Sequence, residues 1–325
     1  MLKLILFLSR INKMLFSKKY YSCHYMQDGI NFYPDNIIKT CCFTTSDEVN
    51  LCNLTNTDNI KSIKRDIDKK RRQLIKDCQN GKIPNCCKKC CNLQKKTWKY
   101  KKKIEHITLN HFMYCNLKCI HCGYLNKVRN KTKDTKDELV LYTIKNLTAI
   151  GMLSSNYSVD IGGGEPSLSK GLDKIIEYLV NNNHKVHINS NVAQYKENYL
   201  YGIQKDFINL TLTPDAGSKE VYNKIKGVDY FDIVKDNIKK YMAKAADKIE
   251  VKFIIEKDNV DDIQNMIELC LECGVKNVKC ALDLNIKPAD KINYKPYIQT
   301  FKRLCHENNL NVSFQFIPKE FYEES

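Results

Sequence analysis

From Ile104 onward the sequence alternates strand-like and helix-like segments, and this alternation limits the fold more than any other feature. Ile104–His111 alternates apolar and polar residues as a strand does, and Asp134–Ile150 carries helical periodicity. "SVDIGGGE" (158–165) is a strand running into a glycine turn, followed by helix Gly171–Asn183 and strand "KVHINSN" (185–191). Phe207–Thr213 is the next strand, with helices Ser218–Ile225 and Phe231–Lys244 behind it. "IEVKFIIE" (249–256), helix Val260–Cys273 with Gly274 as its stop, "VKNVKCALDL" (275–284) and helix Tyr294–Asn308 continue the series. "LNVSFQF" (310–316) reads as a terminal strand, and "EKDNVDDI" as a loop in which Asn259 caps the next helix. Strands separated by helices pair in parallel through right-handed crossovers, so an α/β fold follows, either doubly wound or a barrel. In both, ligands gather at the C-terminal ends of the strands.

Residues 1–103 read differently, as a Cys-rich domain ahead of a core at 104–325. They are rich in Asn and Thr, with one clear helix at Asn59–Gln79 and a strand-like stretch at Ile30–Thr40. The first segment, "MLKLILFLSRINKMLFSKK", has a short apolar core at Leu4–Leu8 followed by Arg10 and Lys13. It reads as an amphipathic helix, with a transit-like or membrane-surface segment, or a start at Met14 or Met26, as alternatives. No run of about 18 apolar residues appears, so no spanning helix is expected.

The net charge of +16 comes from 47 Lys and only 6 Arg. Specific phosphate and base recognition favours Arg, so a solvated basic surface is the plain reading and a nucleic-acid partner a weakly signalled one. The densest basic run, "KKTWKYKKK" (95–103), reads as a linker into the second domain.

Sixteen cysteines fall in tight groups. Disulfide scaffolds are usually short secreted chains, so grouped thiols in a long Lys-rich chain favour metal-bound thiolates in a reducing compartment, the cytoplasm. Cys115, Cys119 and Cys122 stand as C-x3-C-x2-C directly after the first core strand. Three thiolates leave a position open on the metal they hold. Zinc with His121 as fourth ligand is the alternative, although His121 adjoins Cys122 and the two share one ion awkwardly. At the end of the next strand stands "IGGGEP" (161–166), where glycines permit close backbone approach and Glu165 can accept from an ammonium group.

The three-cysteine loop joined to this glycine–glutamate turn resembles the radical S-adenosylmethionine (radical SAM) superfamily over about Ile104–Leu284. The resemblance implies a partial (β/α)6 TIM-like barrel. It implies a 4Fe–4S cluster on Cys115, Cys119 and Cys122, with the amino and carboxylate groups of S-adenosylmethionine on the open iron. Gly162, Gly163, Gly164 and Glu165 would hold that amino group, and His121 would lie near the adenine. Thr213 and Asp215, in "TLTPDAGSKEVYNKIKG", match a strand end that lies near the ribose, with Pro214 departing from the usual aliphatic residue. Asn191 matches a Thr-Asn-Gly turn in which Val192 stands for the glycine. Taken singly, Asn191, Thr213 and Asp215 are also ordinary cap or turn residues. The implied activity is reductive cleavage to methionine and a 5′-deoxyadenosyl radical, which takes a hydrogen atom from the substrate. A flavodoxin or ferredoxin would supply the electron. No residue declares itself as a general base or radical quencher.

The remaining cysteine group resembles the SPASM/twitch auxiliary-cluster domains of that superfamily. Cys23, the stretch to Cys41, helix Asn59–Gln79 and Gly81-Lys-Ile-Pro84 with Cys87 and Cys90 follow their order. The departure is position, since this domain usually follows the barrel. The implied ligands of a second cluster are Cys23, Cys41, Cys87 and Cys90, with the doublet partners Cys42, Cys86 and Cys91 interchangeable with them. Structural zinc in the same thiolates is the alternative. Cys52, Cys78, Cys270, Cys273, Cys280 and Cys305 read as plain core or surface residues. The substrates implied are a peptide, a sugar or another small molecule. The rival classes are a non-catalytic iron–sulfur or zinc module and an RNA-modifying radical enzyme.

Overall fold

A computed structural model describes residues 19–42, 44, 46–54, 59–122 and 136–323. The N-terminal segment up to residue 18 and the start of the helix expected at Asp134 lie outside these residues. The described residues pack as two units. One takes residues up to 108 with 139–157, and the other takes 109–138 with residues from 158 onward.

The first unit begins with β1 (Tyr20–Ser22), α1 (His24–Asp28) and β2 (Gly29–Tyr33). β3 (Ile37–Lys39) and β4 (Asn50–Asn53) complete an antiparallel meander with β2. The stretch expected as one strand at Ile30–Thr40 is therefore two. Asp35 and Asn36 take φ of 62° and 61° after Pro34, and this left-handed pair reverses the chain. α2 (Ile60–Gln79) is capped by the Asn59 side chain, which accepts from the Lys61 N–H. It buries Ile63, Ile67, Ile75 and Cys78 along one face. β5 (Gln94–Lys96), which overlaps the start of the run 95–103 expected as a linker, pairs antiparallel with β1. β6 (Ile104–Leu109) lies beside β2.

The second unit is parallel α/β. The end of β7 (Leu153–Ile161) leads a sheet through β8 (Lys185–Ser190), β9 (Ile208–Leu212), β10 (Ile249–Ile255), β11 (Asn277–Leu282) and β12 (Asn311–Gln315). Each neighbouring pair is parallel. β7 starts five residues before the expected "SVDI", because Leu153 and Tyr157 are buried and extend its inward face. After α3 (Asp137–Ala149) the helices are α4 (Lys170–Asn181), α5 (Glu197–Gln204), α6 (Lys219–Lys226), α7 (Phe231–Ala245), α8 (Ile263–Glu272) and α9 (Lys295–Glu307). α5 was not expected from the sequence; only Tyr199, Leu200, Gly202 and Ile203 are buried in its eight residues, too short a stripe to stand out. Strand burial alternates, as in β10, where Val251, Phe253 and Ile255 are buried and the residues between are half-exposed. One face of the sheet thus packs on helices while the other stays open. Among the described residues no helix is long and apolar enough to cross a membrane.

Candidate functional site

The site in the second unit starts where β6 ends. The segment Asn110–Tyr114 carries the chain to Cys115, and the glycine turn after β7 is strapped along it. Gly162 N–H donates to Leu109 O at 3.1 Å, Gly164 N–H to Phe112 O at 3.1 Å and Glu165 N–H to Tyr114 O at 2.8 Å. A Cβ on Gly164 would stand 2.0 Å from Tyr114 O, and one on Gly163, whose φ is +93°, 2.5 Å from Phe112 O. These glycines are required by the backbone of the cysteine loop itself. A cavity of about 370 Å³ opens at this bend, lined by Phe112, Tyr114, Glu165 and Ser169 among others.

Glu165 is 2% exposed and collects three donors. Oε1 accepts from Ser167 N at 3.1 Å and Ser190 Oγ at 2.8 Å, and Oε2 from Asn191 N at 2.6 Å. Burial pushes its carboxyl above the ordinary carboxylate range, against these bonds. The carboxylate thereby ties the turn to the end of β8. From there Asn191 reaches back: its Nδ2 donates to Asn116 Oδ1 at 2.8 Å and lies 3.7 Å from Cys115 Sγ. Val192 follows with φ of 66°, fully buried, where the resemblance has glycine. A β-branched residue in the left-handed region is strained.

The three thiols are half-buried and lie within one another's field. Burial pushes Cys115 up to about 11, with Glu165, Cys119 and Cys122 adding to the rise and the Leu117 N–H, 3.5 Å from its sulfur, opposing it. Cys119 is raised chiefly by burial, while Lys226 pulls it down. The loop is docked on the end of α6 through Lys118 N–H to Lys226 O at 2.7 Å and Ile120 N–H to Ile225 O at 3.0 Å. Among the described residues no three His, Cys, Asp or Glu side chains converge on a point that one metal ion could fill.

Asp215 and Lys226 form a buried ion pair at 2.5 Å beneath this loop. Burial opposes the Lys226 charge, but Asp215 and Cys119 hold its pKa above the ordinary value. His121 Nε2 lies 3.6 Å from Asp215 Oδ2, and burial lowers the imidazole pKa despite that carboxylate. Asp215, with φ of 57°, also accepts from Ile254 N at 3.0 Å. Thr213 Oγ1 donates to Ser190 O at 3.1 Å, joining the ends of β8 and β9. The structure thus brings Cys115, Cys119, Cys122, His121, the glycine turn, Asn191, Thr213 and Asp215 together at the strand ends. Asn259 does not cap the helix after it. Its Oδ1 accepts from Glu256 N at 2.9 Å, and its Nδ2 donates to Ile254 O at 2.8 Å and Asp215 O at 3.0 Å, so the side chain is spent on the loop before the helix. Lys226 and Ser190 were missed from sequence. Lys226 sits in the last turn of a helix before Gly227, where a basic residue is ordinary.

In the first unit the other cysteines gather from separate segments. Cys23 heads α1, Cys41 follows β3, and Cys87 and Cys90 lie on the turn after Pro84. Burial pushes Cys23 up to about 11, with the charges of Cys41 and Cys90 adding to it. Cys87 is raised chiefly by burial, then by Cys86, Cys23 and Cys41. Cys86 and Cys87 sulfurs are 3.8 Å apart. Glu48, also missed from sequence, holds this turn by accepting from Asn85 N and Cys86 N, each at 3.1 Å.

Residues 109–270 match the profile of the Radical SAM superfamily. A probable GTP 3′,8-cyclase of Saccharolobus islandicus (strain Y.N.15.51 / Yellowstone #2) is 27% identical over 179 residues, 53% of this chain and 54% of that protein. One from Sulfurisphaera tokodaii is 26% identical over 172 residues, 52% of each chain. The chain spans about half the length of the curated relatives it matches. Among solved structures, Streptococcus suis SuiB bound to S-adenosylmethionine superposes with a TM-score of 0.52 at 17% identity, over 81% of this chain and 57% of SuiB. Native anSMEcpe with bound AdoMet gives 0.52 at 18% identity, over 65% and 64%. At these identities the likeness is one of fold, the partial α/β barrel. Through residues 109–270, this chain belongs to the Radical SAM superfamily.

Proposed function

We propose that this chain is a radical SAM enzyme whose 4Fe–4S cluster is held by Cys115, Cys119 and Cys122. The observation that carries the reading is the strap between the glycine turn and the cysteine loop, which sets a backbone bend beside three mutually sensing thiols. The donor set suits the cluster. Burial raises the Cys115 and Cys119 thiols above their ordinary pKa, and a cationic iron–sulfur core offsets that resistance to deprotonation. A cluster held by Cys115, Cys119 and Cys122 would supply the one-electron reduction that splits S-adenosylmethionine into methionine and a hydrogen-abstracting 5′-deoxyadenosyl radical.

The chain's own residues position this chemistry. Glu165 fixes the end of β8, and Asn191 holds Asn116 and the Cys115 side of the loop. The Asp215–Lys226 pair anchors the floor and places a fixed positive charge near Cys119. Gly162–Glu165 would receive the amino group of S-adenosylmethionine, and His121, Asn191, Thr213 and Asp215 would border its nucleoside. Cys23, Cys41, Cys87 and Cys90 would hold a second, auxiliary cluster, a reading supported by the mutual influence of their thiols. The relatives named as GTP cyclases favour a nucleotide or other small molecule. A structure titled SuiB bound to precursor peptide SuiA, with a TM-score of 0.52 at 15% identity, keeps a peptide open; it covers 92% of this chain and 72% of that one.

The test is anaerobic reconstitution followed by dithionite reduction with S-adenosylmethionine. Wild type is expected to release 5′-deoxyadenosine, and Cys115→Ala, Cys119→Ala and Cys122→Ala to release none while losing roughly four iron per chain. Cys270→Ala is expected to retain both. Iron binding without any 5′-deoxyadenosine would favour the non-catalytic module.

A further inference from the structure

Nothing in the radical chemistry uses the outer face of α2. The inner stripe of this helix, Ile63, Ile67, Arg71, Ile75 and Cys78, is buried in the first unit. The opposite side is a line of cations. Lys61, Arg65, Lys69, Arg72 and Lys76 are exposed at spacings of three or four residues, so they share one side of the helix over about 22 Å. With Ile150, which follows α3 in the same unit, they line a groove of about 790 Å³.

Two observations set this stripe apart from the generally basic surface. Lys dominates that surface, with 47 Lys to 6 Arg in the chain, yet Arg65, Arg71 and Arg72 place half of the arginines in this one helix. The stripe also works against the helix that carries it, because like charges four residues apart destabilise a helix. Lys61–Arg65, Arg65–Lys69 and Arg72–Lys76 all have that spacing. Acidic neighbours relieve it only in part. Lys64 pairs with Asp68 at 3.9 Å and Arg65 with Asp66 at 3.4 Å, and the field of Asp68 reaches Arg72. Lys61, Lys69 and Lys76 have no carboxylate within 4.0 Å among the described residues.

We propose that this groove docks an extended acidic segment of a partner polypeptide, with its carboxylates seated along the α2 stripe. Same-side residues of an extended chain stand about 6.6–6.8 Å apart. That is close to the rise of about 6 Å between helix residues four apart, so the two charge rows can run in step. Arginine suits such a partner, since its planar fork holds a carboxylate by two parallel hydrogen bonds. A nucleic acid fits less well, because no aromatic side chain lines the groove for a base to stack on. A second copy of this chain is opposed by its own net charge of +16. The docking groove stands apart from the radical SAM reading, and either can fail without the other.

Fluorescence anisotropy on the full chain tests this in about 0.15 M salt. The probes are a labelled eight-residue peptide alternating Glu and Thr, whose carboxylates span about 20 Å when extended, and labelled octauridylate. Wild type is expected to bind the peptide, and more tightly than the octauridylate. The triple variant Lys61→Gln, Lys69→Gln, Lys76→Gln is expected to weaken the peptide about tenfold or more. Its urea midpoint is expected to match or exceed that of wild type, since the change relieves repulsion along α2. Lys205→Gln, Lys240→Gln, Lys244→Gln removes the same charge from exposed positions of the second unit and is expected to change peptide binding less than about twofold. Equal losses in the two triple variants, or no peptide binding to wild type, would overturn the proposal. So would tighter binding of octauridylate, which would assign the groove to a nucleic acid. A lower midpoint in the α2 variant would show that the stripe serves the fold and would overturn it as well.

Discussion

Gly164→Ala isolates the join between the glycine turn and the cysteine loop. Gly164 has an ordinary φ, so alanine meets no conformational penalty there; the cost is steric. The new Cβ would lie 2.0 Å from Tyr114 O, 2.7 Å from Tyr114 C and 2.8 Å from Met113 C. All three are backbone atoms and cannot rotate away, so the strands of the join must part by about 1 Å or more to reach normal contact. That movement breaks Glu165 N–Tyr114 O and Gly164 N–Phe112 O, each worth about 0.5–1.5 kcal/mol. Residual overpacking adds about 1–3 kcal/mol, and the stiffer unfolded chain returns about 0.4–1 kcal/mol. The expected loss is about 1–5 kcal/mol, read as a lower midpoint in urea by circular dichroism. Because Tyr114 precedes Cys115, iron retained after reconstitution should fall too. Gly81→Ala is the contrast: its φ is +80° with nothing within 4 Å of the new Cβ, so only about 1–2 kcal/mol of backbone strain applies and iron content stays level. A Gly164→Ala protein with wild-type midpoint and iron would refute the strap as the organising element.

Lys226→Met should cost about 3–5 kcal/mol by leaving the Asp215 carboxylate buried and unpaired, and adding Asp215→Asn should recover part of that. Equal stabilities of the single and double variants in urea would contradict it. At Val192, glycine relieves the left-handed strain that alanine keeps, so Val192→Gly should be at least as stable as Val192→Ala despite its greater chain freedom. A glycine variant weaker by more than about 1 kcal/mol would show that the strain is small. Glu256, pushed up to about 7 by burial and by Asp258, Asp283 and Asp215, holds its proton in the folded state while the unfolded chain releases it near 4.5. Stability should therefore fall as pH rises from about 4.5 through about 7 and then level, by at most about 3 kcal/mol. Glu256→Gln should remove that slope, and thermal melts at pH 5 and 8 that retain it would count against this assignment.

Most strands and helices after Ile104 were legible because their burial follows short periods. In β10 every second residue is buried, and in α4 Leu172, Ile175, Ile176, Leu179 and Val180 form a single stripe. Elements with brief stripes escaped, such as α5 with its eight residues, and the β2–β3 turn at Pro34-Asp35-Asn36 carries turn residues that the reading of Ile30–Thr40 as one strand passed over. At the candidate site, the cysteine spacing and the glycine run were visible because they lie within single short segments.

What the chain decided alone is therefore local: where strands end, that three thiols follow one of them, and that glycines follow the next. Tertiary structure decided why those glycines are needed, since the obstructing atoms belong to Phe112 and Tyr114, about fifty residues earlier. It also turned Lys226, ordinary in its helix, into the buried partner of Asp215. A residue's chemistry is written in the sequence, whereas its burial and its partner depend on strands that meet only in the fold.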